Sequence, residues 1–280
     1  MCSRLALALV LFAGSCERAF ADTSPPPPSA PTSQRRAGKI WSLTGLSLAY
    51  AGLGAWAYWA FYRDRSPGPF ALRSDGWFGR DTYSGGADKL GHLWDANAIS
   101  RVSTQILRAG GWEPVPASVL GSGLGLGVLT AMELKDGYYF GFSASDTAFN
   151  VLGAALSLTL ENLPAVDELV DLRLEYWPSQ DFLAERRTTG SINVFEDYSG
   201  QTYYLAVHLG PLIPSRSPRF VRWLGYLDVV GAYKTRGFTP VPDDPARAHQ
   251  RHVFVGVALN VQALADLALG GRPTTGFRVA

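Results

Sequence analysis

The chain has 280 residues, a net charge of +1, 47% hydrophobic and 12% aromatic residues, and only 18% charged ones. Near-neutral charge supplies no electrostatic footprint for nucleic acid, and the charge content lies below the ~25% usual for a soluble domain. Its two cysteines, Cys2 and Cys16, both lie at the N-terminus, so the body of the chain has neither a disulfide framework nor a cysteine metal site.

Arg4 followed by the apolar run Leu5–Phe12 and small residues has the pattern of a secretory signal peptide (1–21), too short to span a bilayer. Ala19-Phe20-Ala21 offers cleavage before Asp22, the favoured site. Ala13-Gly14-Ser15-Cys16 resembles a degraded lipobox that would lipidate Cys16 instead. Residues 22–39, with Pro25–Pro28, read as an extended linker. The uncharged run IWSLTGLSLAYAGLGAWAYWAFY from Ile40 to Tyr62 is bracketed by Lys39 and Arg63 and has aromatic residues at both ends. It predicts a membrane-spanning helix.

Ser66–Gly86 is rich in Gly, Pro and aromatic residues and predicts a loop. Three helices are expected next. The first runs from about Ala87 to Ala109 and stops at Gly110-Gly111. The second follows Pro114 and Pro116, with small residues at Ser118, Gly121 and Gly125 that permit close helix approach. The third starts at Ser143 or Ser145 as N-cap and ends at Pro164. After Asp171 charges return. Short Val-, Tyr- and Phe-rich runs from Tyr203, Tyr226 and His252 predict strands or short packed segments, the third able to continue as a helix. The expected fold is therefore mainly α: a membrane-embedded core of about four helices (40–170) and a smaller mixed α/β C-terminal appendage (171–280).

Asp88, His92 and Asp95 occupy i, i+4 and i+7 of one helix, and Asp146, Asn150 and Gly153 repeat that spacing on another. Glu133 and Asp136 stand at i, i+3 near the end of the apolar helix between them. Carboxylates beside apolar helices are costly unless paired, protonated or bound to a cation. Asp88, His92, Glu133, Asp136, Asp146 and Asn150 are therefore expected to converge on one polar site, supported by Lys89, Asp95 and Gly153. Zn²⁺, Mn²⁺ or Mg²⁺ would suit these donors. Ion pairing with Lys89, Arg101 or Lys135 is the purely structural alternative, and His208, His249 and His252 read as surface or packed residues. Nucleophile elbow, Walker loop and His-Glu-x-x-His motifs are missing.

DKLGH (Asp88–His92), AMELKDG (Ala131–Gly137) and SASDTAFNVLGA (Ser143–Ala154) resemble a bacterial family of predicted periplasmic lipoproteins of unknown function. LRLEYWPS at Leu172 and EDYSGQTYYLAV at Glu196 resemble its extended members. The motifs are more distantly similar to VanZ-like membrane proteins, which share an Asp-Lys-x-x-His start and an Asp-x-x-x-Asn-x-x-Gly ending. That resemblance implies an envelope address and no reaction; the export signal and the apolar helices point to membrane lipid or an envelope protein as partner. Two functions stand open: binding of a lipid, cell-wall precursor or partner, and metal-dependent hydrolysis or transfer at a lipid headgroup. A proton-relaying transporter fragment is a third, weaker option.

Overall fold

The computed structural model describes residues 32–189, 194–238 and 248–268. The signal peptide, both cysteines and the polyproline run lie outside the described residues. The chain forms two compact units. One comprises Trp77–Leu90 and the described residues from Leu163 onward. The other comprises the described residues up to Gly76, together with Gly91–Asn162.

The second unit is helical. Helix α1 (Thr32–Ala57) passes into a π-helical turn, Tyr58–Tyr62. It starts earlier than composition suggests. Thr32–Gly38, read above as the end of a linker, carry no proline and include Gln34, Arg35, Arg36 and Ala37, all adequate helix formers. Helix α2 (Ala87–Ala109) runs from the first unit into the second, followed by α3 (Pro114–Tyr139) and α4 (Ala144–Asn162). Strand β1 (Leu72–Arg73) pairs in parallel with β2 (Phe142–Ser143), fixing the loop ahead of α2 to the turn between α3 and α4.

Close helix contacts depend on missing side chains. A Cβ on Gly121 would meet Thr104, and one on Gly125 would meet Ser100, so α3 lies directly against α2. Across the unit, Glu161 of α4 is buried and receives Arg108 (2.7 Å), Arg101 (3.5 Å) and the Gln105 amide. Among the described residues, one helix, α3, is long and apolar enough to cross a membrane by length and composition. α1, expected to span, is diluted by Ser42, Thr44, Ser47, Tyr50 and its glycines, although Ile40, Trp41 and Leu48 are exposed along it.

The other unit is built on an antiparallel sheet in the order β3-β4-β5-β6: Val170–Tyr176, Gln201–His208, Leu227–Arg236 and Gln250–Leu259. Among the described residues, the longer helices that accompany it are α5 (Gln180–Thr189) and α6 (Val261–Ala268). The three aromatic and β-branched runs are thus strands, and the third becomes a helix after Asn260. The Asn260 side chain accepts from the Ala263 amide at 2.9 Å, which caps α6 and ends the strand. Trp77–Leu90, expected to be mostly loop, packs with this sheet: Tyr233 Oη donates to the Gly85 carbonyl, and Phe238 fills the space beside Gly85. The left-handed backbone at Gly85 and Gly86 (φ 64° and 94°) makes the turn into α2.

Of the two readings, surface or packed, His208 takes the second. Buried at the end of β4, it places Nδ1 2.7 Å from Asp228 Oδ1 on β5. Asp228 also accepts from Arg173 of β3 (2.9 Å) and from the Asn260 amide (3.1 Å), so one carboxylate ties together three strands and the α6 cap. Burial alone would push the Asp228 carboxyl up. His208 and Arg173 outweigh that and hold it below its ordinary value.

Candidate functional site

The site begins with a helix start. Ser143 Oγ accepts from the Asp146 amide at 3.2 Å, which makes it the N-cap of the two serines weighed, and both Ser143 and Ser145 donate to Asp75 Oδ1 at 3.0 and 2.9 Å. Asp75 sits in the Gly- and aromatic-rich loop, where no periodicity marked it out. It anchors the first turn of α4, and so the position of Asp146.

Farther along α4, the stripe Asp146, Asn150, Gly153 faces α2. At Gly153 a Cβ would collide with the Leu93 carbonyl and with Ala96, so only glycine lets the two helices approach this closely. That approach brings Asn150 and Asp146, roughly one and two turns earlier, up to His92. His92 Nδ1 lies 3.1 Å from Asn150 Oδ1. His92 Nε2 lies 3.6 Å from Glu133 Oε1 of α3 and 3.9 Å from Asp146 Oδ2. Glu133, Asp146 and Asn150 are buried, while the His92 side chain keeps 24% of its surface exposed.

Three helices thus deliver four of the expected residues to one point. Asp88 stands one turn before His92 in sequence on α2. In the sheet-bearing unit Asp88 also accepts from Lys89 (3.2 Å) and from Tyr198 Oη (3.1 Å). Burial, with Asp88 adding to it, raises the Tyr198 hydroxyl well above its ordinary pKa, which keeps it a donor. Asp95 lies half-buried a turn beyond His92. Asp136 is engaged at the end of α3, where its Oδ1 accepts from the Tyr62 hydroxyl. Of the cations weighed as ion-pair partners, Lys89 pairs with Asp88, Arg101 reaches Glu161, and Lys135 lies over the Tyr58 and Tyr62 rings.

Electrostatics decide what the cluster can do. With Asn150 Oδ1 as acceptor, Nδ1 carries the proton, and Nε2 presents its lone pair to two carboxylate oxygens. Three electron-rich atoms facing one another repel unless a proton or a metal cation sits among them. The 3.6 and 3.9 Å separations exceed a hydrogen bond. They approach the ~3.4 Å expected between two ligands that each sit ~2.1 Å from one metal ion in tetrahedral geometry. Asn150 Nδ2 is buried without a hydrogen-bond partner among the described residues.

The site is therefore a histidine–carboxylate cluster carried on three helices. Residues 74–162 match the family described as "Predicted periplasmic lipoprotein (DUF2279)", a stretch that contains Asp75 and every residue of the cluster. This match supports a membrane-associated place in the bacterial cell envelope. No curated protein and no solved structure matches the chain.

Proposed function

We propose that the chain is a membrane-associated envelope protein that holds a divalent cation between His92, Glu133 and Asp146. Through that cation it binds a lipid headgroup or cell-wall precursor. The observation that carries this reading is the His92 ring itself: Nδ1 is committed to Asn150, and Nε2 faces two acidic oxygens at 3.6 and 3.9 Å. An acceptor oxygen bonded to the distal N–H of a liganding histidine is the usual way to fix the ring and raise its basicity, and the Asn150 carbonyl oxygen supplies one. Asp88 and Asp95, a turn to either side of His92, supply further acidic character, and Asp136 belongs to the same acidic end of α3. The motif resemblance to VanZ-like proteins covers the same helices, Asp88–His92 and Asp146–Gly153.

A second reading keeps the same cation and adds chemistry. His92 is partly exposed, so the cation would retain an open position for water or substrate, as hydrolytic metal sites do. One of the carboxylates would then act as base in hydrolysis or transfer at a lipid headgroup.

Metal analysis of the full chain purified in detergent tests the shared premise. About one divalent ion per chain is expected, lost in His92→Ala and in Asp146→Asn. Metal-free protein whose melting temperature ignores both added Zn²⁺ or Mn²⁺ and chelator would overturn it. Release of a phosphorylated headgroup by the metal-loaded wild type, absent in the variants, would favour the second reading over the first.

A further inference from the structure

A separate cavity of about 400 Å³ opens at the other end of the helical unit, lined by Arg35, Arg36, Lys39, Ile40, Leu43 and Trp112. Three of these six side chains are cationic and none is acidic. The Lys39 ammonium lies 5.3 Å from the centre of the Trp112 ring. Trp112 follows the Gly110-Gly111 stop of α2 and packs against the core formed by Leu46, Leu107 and Ala117. Its ring is thus fixed in place, yet its Nε1–H is buried without a hydrogen-bond partner among the described residues. A buried indole donor lining one cavity with two guanidinium groups and an ammonium suits an acceptor with several oxygens and negative charge.

The other wall is apolar. Ile40 and Leu43 line the cavity, and Ile40 and Trp41 are 53% and 73% exposed beside it. A small inorganic anion would leave that wall unused, whereas an amphipathic ligand would cover it. We propose that this cavity binds the phosphate of an anionic phospholipid headgroup. The arginine forks and Trp112 Nε1–H reach its oxygens, and its acyl chains lie along Ile40 and Leu43. The His92 cluster takes no part, so metal loss there leaves this site intact.

Thermal unfolding of the full chain in a zwitterionic detergent tests the assignment. Dihexanoyl-phosphatidylglycerol is added in one arm, dihexanoyl-phosphatidylcholine in a second and sodium phosphate in a third. The glycerol lipid is expected to raise the midpoint by about 5 °C near saturation, with the other two arms flat. The shift should vanish in Arg35→Gln/Lys39→Gln and shrink in Trp112→Phe, which keeps the ring and removes only the donor. If the double variant does not fold, Trp112→Phe alone carries the comparison. An equal rise with sodium phosphate or with phosphatidylcholine would overturn the proposal. So would a phosphatidylglycerol shift that survives in every variant that folds.

Discussion

His92 and Asn150 meet across α2 and α4 with Nδ1 and Oδ1 3.1 Å apart, so the two ring nitrogens of one imidazole have different tasks. Asn150 holds the ring; Nε2 is left for the carboxylates. Replacing Asn150 with Ala should therefore weaken metal retention by about 10–100-fold without removing a ligand. Asn150→Asp keeps the acceptor and should retain most of the affinity. Chelator competition at fixed pH measures both, and equal affinities in wild type and Asn150→Ala would remove the orienting role.

Glu133 and Asp136 are three residues apart but differ in surroundings: Glu133 faces His92, and Asp136 accepts from Tyr62. Glu133→Gln should reduce bound metal, whereas Asp136→Asn should leave it near the wild-type value. Asp136→Asn and Tyr62→Phe should instead each lower stability by about 1 kcal/mol, the size of one lost hydrogen bond. Were Asp136→Asn to empty the site while Glu133→Gln did not, the assignment of the two acids would have to be exchanged.

Helix contact at Gly153 offers a steric test. Gly153→Val should destabilise the protein by about 2–3 kcal/mol, because α4 must move away from the Leu93 carbonyl, and metal binding should fall with it. Gly127 has open space around its Cβ position, so Gly127→Ala should leave stability unchanged or raise it by about 0.5–1 kcal/mol. Chemical unfolding in detergent distinguishes the two.

In the sheet, the depressed carboxyl of Asp228 makes stability depend on acid. A carboxylate whose folded pKa lies below its unfolded one stabilises the protein above the ordinary value, near 4. That stabilisation fades as pH falls through the folded value. Asp228→Asn should cost about 2–4 kcal/mol at pH 7, since Arg173 and His208 lose their shared partner, and much less below pH 3. Melting temperatures of wild type and variant across that interval give the answer. A gap between them that does not narrow in acid would rule out the carboxylate as its source.

Much of the helical unit was legible because helices announce themselves locally. The i, i+4, i+7 spacings, a serine cap at Ser143 or Ser145 and the Gly110-Gly111 stop lie within short windows, and the helices that carry them appear in the structure where they were read. The start of α1 was hidden by the prolines before it, which suggested extended chain up to Gly38. Strand pairing is non-local, so nothing near His208 revealed Asp228, twenty residues away on the neighbouring strand. Asp75 was missed for a related reason: a loop residue has no period, and only the chain's return at Ser143 gives it a role. The Trp112 cavity escaped because its cations lie in the stretch assigned to the linker.

The length of α3 has one more consequence. Pro114 follows closely on Trp112 at the cationic end, and Glu133 lies 19 residues further on, about 28 Å at 1.5 Å per residue. That is close to the ~30 Å thickness of a bilayer's hydrocarbon core. A lipid belongs to one leaflet and covers only half that depth, so no single molecule can occupy both the Lys39 and the His92 ends. Any communication between them would have to pass along the glycine-packed helices as a rigid displacement. An axial shift of α3 against α2 at Gly121 and Gly125 would be felt at both ends of the helix at once.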